Sequence, residues 1–106
     1  MAKYFNITGE TSAAAELTRE LLAPGDNFKT NSISLANVHA DTKCTVNVYI
    51  EKVSSGKFYI LKNIELPIGA TLVHNFTFDN STGQYGLYLK LTKTASETPA
   101  VDVILK

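Results

Sequence analysis

Residues 44–66 read CTVNVYIEKVSSGKFYILKNIEL. Cys44, Val46, Val48 and Ile50 alternate with Thr45, Asn47, Tyr49 and Glu51, the period of two expected of a strand with one buried face. Lys57 to Leu66 is a second strand, and Ser54-Ser55-Gly56 suits a three-residue hairpin loop with Gly56 at its left-handed position. With Val53 opposite Lys57, the expected pairs are Ile50 with Ile60, Val46 with Ile64 and Cys44 with Leu66 on one face. Glu51 then meets Tyr59, and Asn47 meets Asn63, on the other. Lys62 would face inward opposite Val48, which requires snorkelling, a bulge near Leu61, or a place at the rim of the core. Pro67-Ile68-Gly69-Ala70 turns the chain, and Thr71 to Phe78 alternates again with Leu72, His74, Phe76 and Phe78 on one side. Together the three runs read as a β-meander.

Outward from this centre the same signals recur. Lys3 to Thr8 is a short strand. Thr11 to Ala23 is rich in helix formers, with Ser12 as a cap, and a helix ending at Pro24-Gly25 is one reading. The other, preferred here, is a strand from Glu16 onward with the alanines as loop. Lys29 to Val38 alternates around Ile33 and Leu35, and Asn37 to Lys43 is a polar turn. Asp79-Asn80-Ser81-Thr82-Gly83 is a turn, Tyr85 to Thr92 alternates around Leu87, Leu89 and Leu91, and Thr94 to Pro99 is a loop. Val101, Val103 and Leu105 mark a last strand. The pattern predicts an all-β domain over 1–106, an antiparallel β-sandwich of about seven or eight strands. The alternative is a small β-barrel preceded by a short N-terminal helix. A terminal strand left at a sheet edge would invite oligomerisation.

Composition narrows the functions. A chain of 106 residues buries somewhat over about 60% of its unfolded surface without metal or disulfide help. Ten basic and ten acidic residues create no global field toward nucleic acid or an anionic membrane. Cys44 is a single cysteine at an inward strand position, expected to be a small buried apolar residue. The N-terminus lacks a signal-peptide core and no apolar run approaches a membrane span, so the expected product is made soluble in the cytoplasm. Sequons at Asn6, Asn75 and Asn80 are by-products of a surface rich in Thr and Asn.

Catalytic machinery is not legible. Gly83-Gln84-Tyr85-Gly86 lacks the lysine and helix of a phosphate loop. His39 and His74 have no nucleophile motif beside them and no zinc spacing to Cys44. Asp26, Asp41 and Asp79 lie in turns, where bonding to local backbone is the usual role and calcium the alternative. No enzyme activity, cofactor or metal is expected. Tyr49, Tyr59 and Tyr88 fall on the nominal outer face of their strands and are the candidate interface residues. A protein contact is the preferred reading over a sugar-stacking or base-stacking platform.

Leu21-Leu22-Ala23-Pro24-Gly25, Ser32-Ile33-Ser34-Leu35-Ala36-Asn37, Val46-Asn47-Val48-Tyr49-Ile50 and the run Tyr59 to Leu72 resemble small virion structural proteins of tailed bacteriophages, especially marine ones. The resemblance covers roughly half the chain. It implies a β-sandwich that packs on other virion subunits as a head decoration, neck or tail component, made in the host cytoplasm and incorporated in the virion. The expected function is a non-enzymatic assembly module, homo-oligomeric or bound to other virion proteins. The alternatives are a ring-forming nucleic-acid-binding β-barrel, if residues 16–22 are helical, and a carbohydrate-binding sandwich.

Overall fold

The computed structural model describes residues 2–8, 16–39, 43–52, 56–79, 84–92 and 100–106. Among them are eight strands and no helix: β1 (Lys3–Thr8), β2 (Glu16–Leu22), β3 (Lys29–Asn37), β4 (Cys44–Lys52), β5 (Lys57–Leu66), β6 (Thr71–Asp79), β7 (Tyr85–Thr92) and β8 (Ala100–Leu105). Glu16–Leu22 is thus a strand, and the helix-then-barrel alternative is overturned. Tertiary pairing outweighs helix propensity there, because β2 lies along β7 from Glu16–Thr92 to Leu22–Leu87. The loop assigned to the alanines lies outside the described residues, as do the turns expected at 54–55, 80–83 and 94–99.

The strands form two four-stranded sheets, β1-β8-β3-β6 and β2-β7-β4-β5. Every pairing is antiparallel. The hairpin β4–β5 is innermost, and around it β3 pairs with β6, β2 with β7 and β1 with β8. Such nesting is a single long hairpin rolled up on itself, and it is the topology of a jelly roll. The chain changes sheet at every connection except β4 to β5. For that reason the expected β-meander over 44–78 does not exist. β6 leaves the sheet of β4 and β5 and joins β3 in the other.

Two tight turns make that path cheap. In Ala23-Pro24-Gly25-Asp26 the Asp26 N–H donates to the Ala23 carbonyl at 3.1 Å, and in Pro67-Ile68-Gly69-Ala70 the Ala70 N–H donates to Pro67 at 3.1 Å. Gly25 and Gly69 take φ of 92° and 74°, the left-handed third position of type II turns, which favours glycine.

The core lies between the sheets. Ile7, Ile33, Leu35, Val101, Val103 and Leu105 of one sheet meet Leu22, Val46, Val48, Leu87, Leu89 and Leu91 of the other, all buried. The alternation read from the sequence places those of β3, β4, β7 and β8 inward, since strand residues two apart share a face. β7 is interior, so truncation of buried Leu89 to Ala costs about 2–5 kcal/mol. β2 departs from alternation: a register shift between Glu20 and Leu22 lets both Leu21 and Leu22 enter the core.

The β4–β5 register follows the expectation only at one end. Cys44 pairs with Leu66 and Val46 with Ile64, but then Val48 pairs with Leu61, Tyr49 with Tyr59, Ile50 with Phe58 and Glu51 with Lys57. Lys57 therefore faces Glu51; Val53 lies outside the described residues. β5 carries two more residues than β4 over this stretch, taken up in two register shifts, and Asn63 lies in the first of them at φ 54°, a conformation asparagine tolerates better than most residues. The bulge turns Lys62 out to solvent. Its ammonium lies 5.0 Å from the centre of the Tyr59 ring, which resolves the inward lysine.

Buried polar groups lie at bends and ends of the ladders. The Thr30 hydroxyl is within hydrogen-bonding distance of the Lys106 and Ser32 carbonyls, at 2.8 and 3.1 Å, beside a β3 bulge. Asn31 and Ser32 both donate their N–H there to the Lys106 carbonyl. Asn37 Nδ2 donates to the Leu66 carbonyl at 2.9 Å and ties the end of β3 to the β5–β6 turn. Asn47 holds the β5 bulge through the Asn63 N–H. Among the described residues no buried side-chain nitrogen or oxygen lacks a partner, as the cost of leaving one unmade requires.

Candidate interaction surfaces

β4 is an interior strand, and its outward residues Asn47 and Tyr49 lie in the middle of a sheet face. Tyr49 pairs with Tyr88 of β7 on one side and Tyr59 of β5 on the other. Ring centres are 5.5 Å apart in both pairs, stacked at 17° with Tyr88 and tilted at 50° with Tyr59. The three candidate tyrosines are therefore brought together on the outer face of one sheet. They are not equally accessible. Tyr49 is only 3% exposed yet stands outside the core cluster, because its neighbours cover it, whereas Tyr59 is 43% exposed.

The cluster is chemically self-contained. Lys57 Nζ sits 4.7 Å from the Tyr49 ring centre and Lys62 Nζ 5.0 Å from that of Tyr59, both within cation–π range. The Tyr88 hydroxyl donates to Glu20 at 3.2 Å. Burial, followed by the bonded and nearby Glu20 carboxylate, raises the Tyr88 phenol above its ordinary value. A sugar or base stacks on an open ring face, and here Tyr49 gives its faces to Tyr88 and Lys57. Of the three, Tyr49 is covered, Tyr88 is half-buried and Tyr59 is exposed.

The remaining sequence candidates are dispersed. Cys44 is a free, buried cysteine, and burial pushes its thiol up. His74 is half-buried on β6, stacked 6.0 Å from Phe76. The His39 N–H donates to Asn37 Oδ1 at 3.0 Å. Asp26 accepts the Ala23 N–H at 2.9 Å, the local turn role expected of it. Asp79 ends β6, and Asp41 lies outside the described residues. No group of three or more His, Cys, Asp or Glu among the described residues is placed to hold a metal ion. Among the described residues no helix is long and apolar enough to cross a membrane.

A second surface went unread in the sequence. β5 and β6 are edge strands of opposite sheets joined by the short turn at 67–70, so they run along one side of the sandwich. Phe58 is 58% and Val73 61% exposed, and Val38, Tyr59 and Ile68 are exposed as well. All five belong to β5, β6, the turn between them, or, for Val38, the residue after the Asn37 that bonds to that turn. Tyr4 is the one exposed large hydrophobic among the described residues that lies elsewhere. Beneath them Ile60, Leu61, Ile64, Leu72 and Phe76 are only partly buried. The available signal was Val73 at an outward position of its strand; nothing local said that β5 and β6 would both be edges.

No family model matches the chain, and no curated protein matches it. Among solved structures it is similar to a chain in the structure of infectious bursal disease virus, Gx strain, at 11% identity and a TM-score of 0.45, over 97% of this chain and 29% of that one. The chain spans less than a third of the length of that protein.

Proposed function

We propose that the protein is a non-enzymatic structural module that assembles, with copies of itself or with other virion proteins, through the β5–β6 side of its sandwich. The observation that carries this reading is the gathering of exposed Val38, Phe58, Tyr59, Ile68 and Val73 along that side. Scattered surface hydrophobics need no explanation, but several gathered on two edge strands and the turn that joins them suit a place where another molecule excludes water. A role as a bacteriophage head decoration, neck or tail component, made in the host cytoplasm and carried in the virion, draws support from the sequence resemblance and from the jelly roll's use in capsids. Lectins and cupins share that topology, so the fold alone does not select it.

The alternatives have lost the features that motivated them. The nucleic-acid ring rested on a helix over 16–22, where β2 stands. The carbohydrate platform rested on open tyrosine faces, and those of Tyr49 are taken by Tyr88 and Lys57. Size-exclusion chromatography with light scattering, recorded at two absorbance wavelengths, tests the proposal. The expected result is a concentration-dependent oligomer free of nucleic acid. A monomer at every concentration, or a species carrying nucleic acid, overturns self-assembly as its function.

A further inference from the structure

Among the described residues the two sheets leave four edges, β1, β6, β2 and β5. An open edge offers a row of N–H and C=O groups to any other strand, and proteins blunt it with charge, bulges, proline or shortness. Three of the four are blunted. β1 has six residues and carries Lys3. β2 carries Arg19 and Glu20 and a register shift. β5 carries Lys57 and Lys62 and bends at Asn63.

β6 is different. TLVHNFTFD runs nine residues whose outward and inward positions alternate strictly even through the one-residue register shift that it takes against β3 between Asn75 and Phe78, has no Lys, Arg, Pro or Gly, and carries its one formal charge at its end, Asp79. Three of its outward residues, Thr71, Val73 and Thr77, are β-branched, the type that favours extended pairing.

The direction of its free groups follows from the neighbouring ladders. Ser32 exchanges both backbone bonds with Lys106 on the β8 side, at 3.1 Å each. Ladder bonds alternate along a strand, so the groups of Ile33 point to β6 and bond its partner His74. The backbone groups of Val73 and Asn75 therefore point away from β3, to the open edge.

We propose that β6 pairs antiparallel with β6 of a second copy, about a two-fold axis at Asn75. The proposal rests on the assembly reading above and names its partner. Centring on Asn75 pairs all nine residues, whereas an axis at Val73 or Thr77 pairs only about five of them. In this register Asn75 meets its own counterpart as a hydrogen-bonded pair, Val73 faces the second copy's Thr77, and His74 faces the second copy's Phe76. Asp79 falls opposite Thr71, so no like charges oppose each other. The two sheets β1-β8-β3-β6 become one continuous sheet of eight strands, and each exposed Val73 side chain gains a cross-strand neighbour.

A charge-reversal experiment reads the register directly. Val73→Lys with Thr77→Lys places lysine against lysine twice across the axis. Val73→Lys with Thr77→Glu places lysine against glutamate twice. Both positions are exposed in the single chain, and circular dichroism melts of each variant establish that it folds. By light scattering across a concentration series, the Lys/Lys variant is expected to raise the monomer–dimer midpoint by about tenfold or more, and the Lys/Glu variant to restore it. An oligomer unchanged in the Lys/Lys variant overturns β6 pairing and leaves the assembly reading standing. Equal weakening in both variants overturns this register. A wild-type chain that is monomeric throughout overturns β6 pairing together with self-assembly, and leaves assembly with other proteins standing.

Discussion

The backbone N–H of Asn63 donates to Asn47 Oδ1 at 2.8 Å, from a residue held at φ 54° to a side chain only 5% exposed. This bond fixes the bulge that turns Lys62 outward, the first of two register shifts that together bring Tyr59 rather than Leu61 opposite Tyr49. A local accommodation in one edge strand thereby sets the tyrosine cluster on the sheet face.

Removing the acceptor leaves a donor without its partner. Asn47→Ala is expected to lower stability by about 1–3 kcal/mol in denaturant melts. Asn63→Gly should be close to neutral, while Asn63→Ala loses about 1 kcal/mol from the left-handed conformation. Equal stability of Asn63→Ala and Asn63→Gly would contradict the bulge geometry.

Tyr49 and Tyr59 should separate sharply on truncation. Tyr49→Ala empties a covered position and is expected to cost about 3 kcal/mol. Tyr59→Ala, on an exposed ring, should cost about 1 kcal/mol from its aromatic contact. A thermal midpoint barely moved by Tyr49→Ala would show that the ring is surface decoration after all.

Gly86 is buried where Tyr88 leans over it. A Cβ there would lie 2.9 Å from the Leu22 carbonyl oxygen and 3.0 Å from both Cε1 and the hydroxyl of Tyr88. Gly86→Ala is therefore expected to destabilise by about 1–3 kcal/mol and to displace the ring, breaking the Tyr88–Glu20 hydrogen bond. NMR of the Tyr88 ring reads this directly; an unshifted ring with unchanged stability would refute the close approach.

Alkaline pH should weaken the fold through two groups. Burial raises Cys44 above its ordinary 9.0, and burial with the Glu20 carboxylate raises Tyr88 above its ordinary 10.0. Each folded form holds its proton more tightly than the unfolded chain, so its contribution is full below the ordinary value and is lost as pH rises through the folded one. Stability from urea melts is expected to be level through neutral pH and to fall above about pH 9. Glu20→Gln should move the Tyr88 titration back toward lower pH. The native Cys44 thiol should also resist a disulfide reagent at neutral pH, as a buried, unactivated thiol does. Rapid modification without unfolding would place Cys44 at the surface.

Much of the fold was legible because burial in a strand is a local, period-two property. Ile33 and Leu35, Val46 and Val48, Leu87, Leu89 and Leu91, and Val101, Val103 and Leu105 all point inward as their alternation predicts. Pro24-Gly25 and Ile68-Gly69 announced their turns for the same local reason. The bulges were less legible, since Asn63 reads equally well as a regular strand residue until the register on both sides of it is known. Of the candidate interface, the common face of Tyr49, Tyr59 and Tyr88 could be read, but not the covering of Tyr49, which depends on its central place between two strands.

The sequence by itself determined the strands, their faces and their tight turns, because each is settled by side chains within a few residues of one another. Tertiary structure alone decided that β1 lies against β8 and β6 against β3. Those pairings join segments far apart in the chain, and no neighbouring residue encodes them. Which strands were left as edges, and so which apolar residues stayed in water on the β5–β6 side, followed from that rolling of the hairpin, since an edge is defined only by the neighbour it lacks.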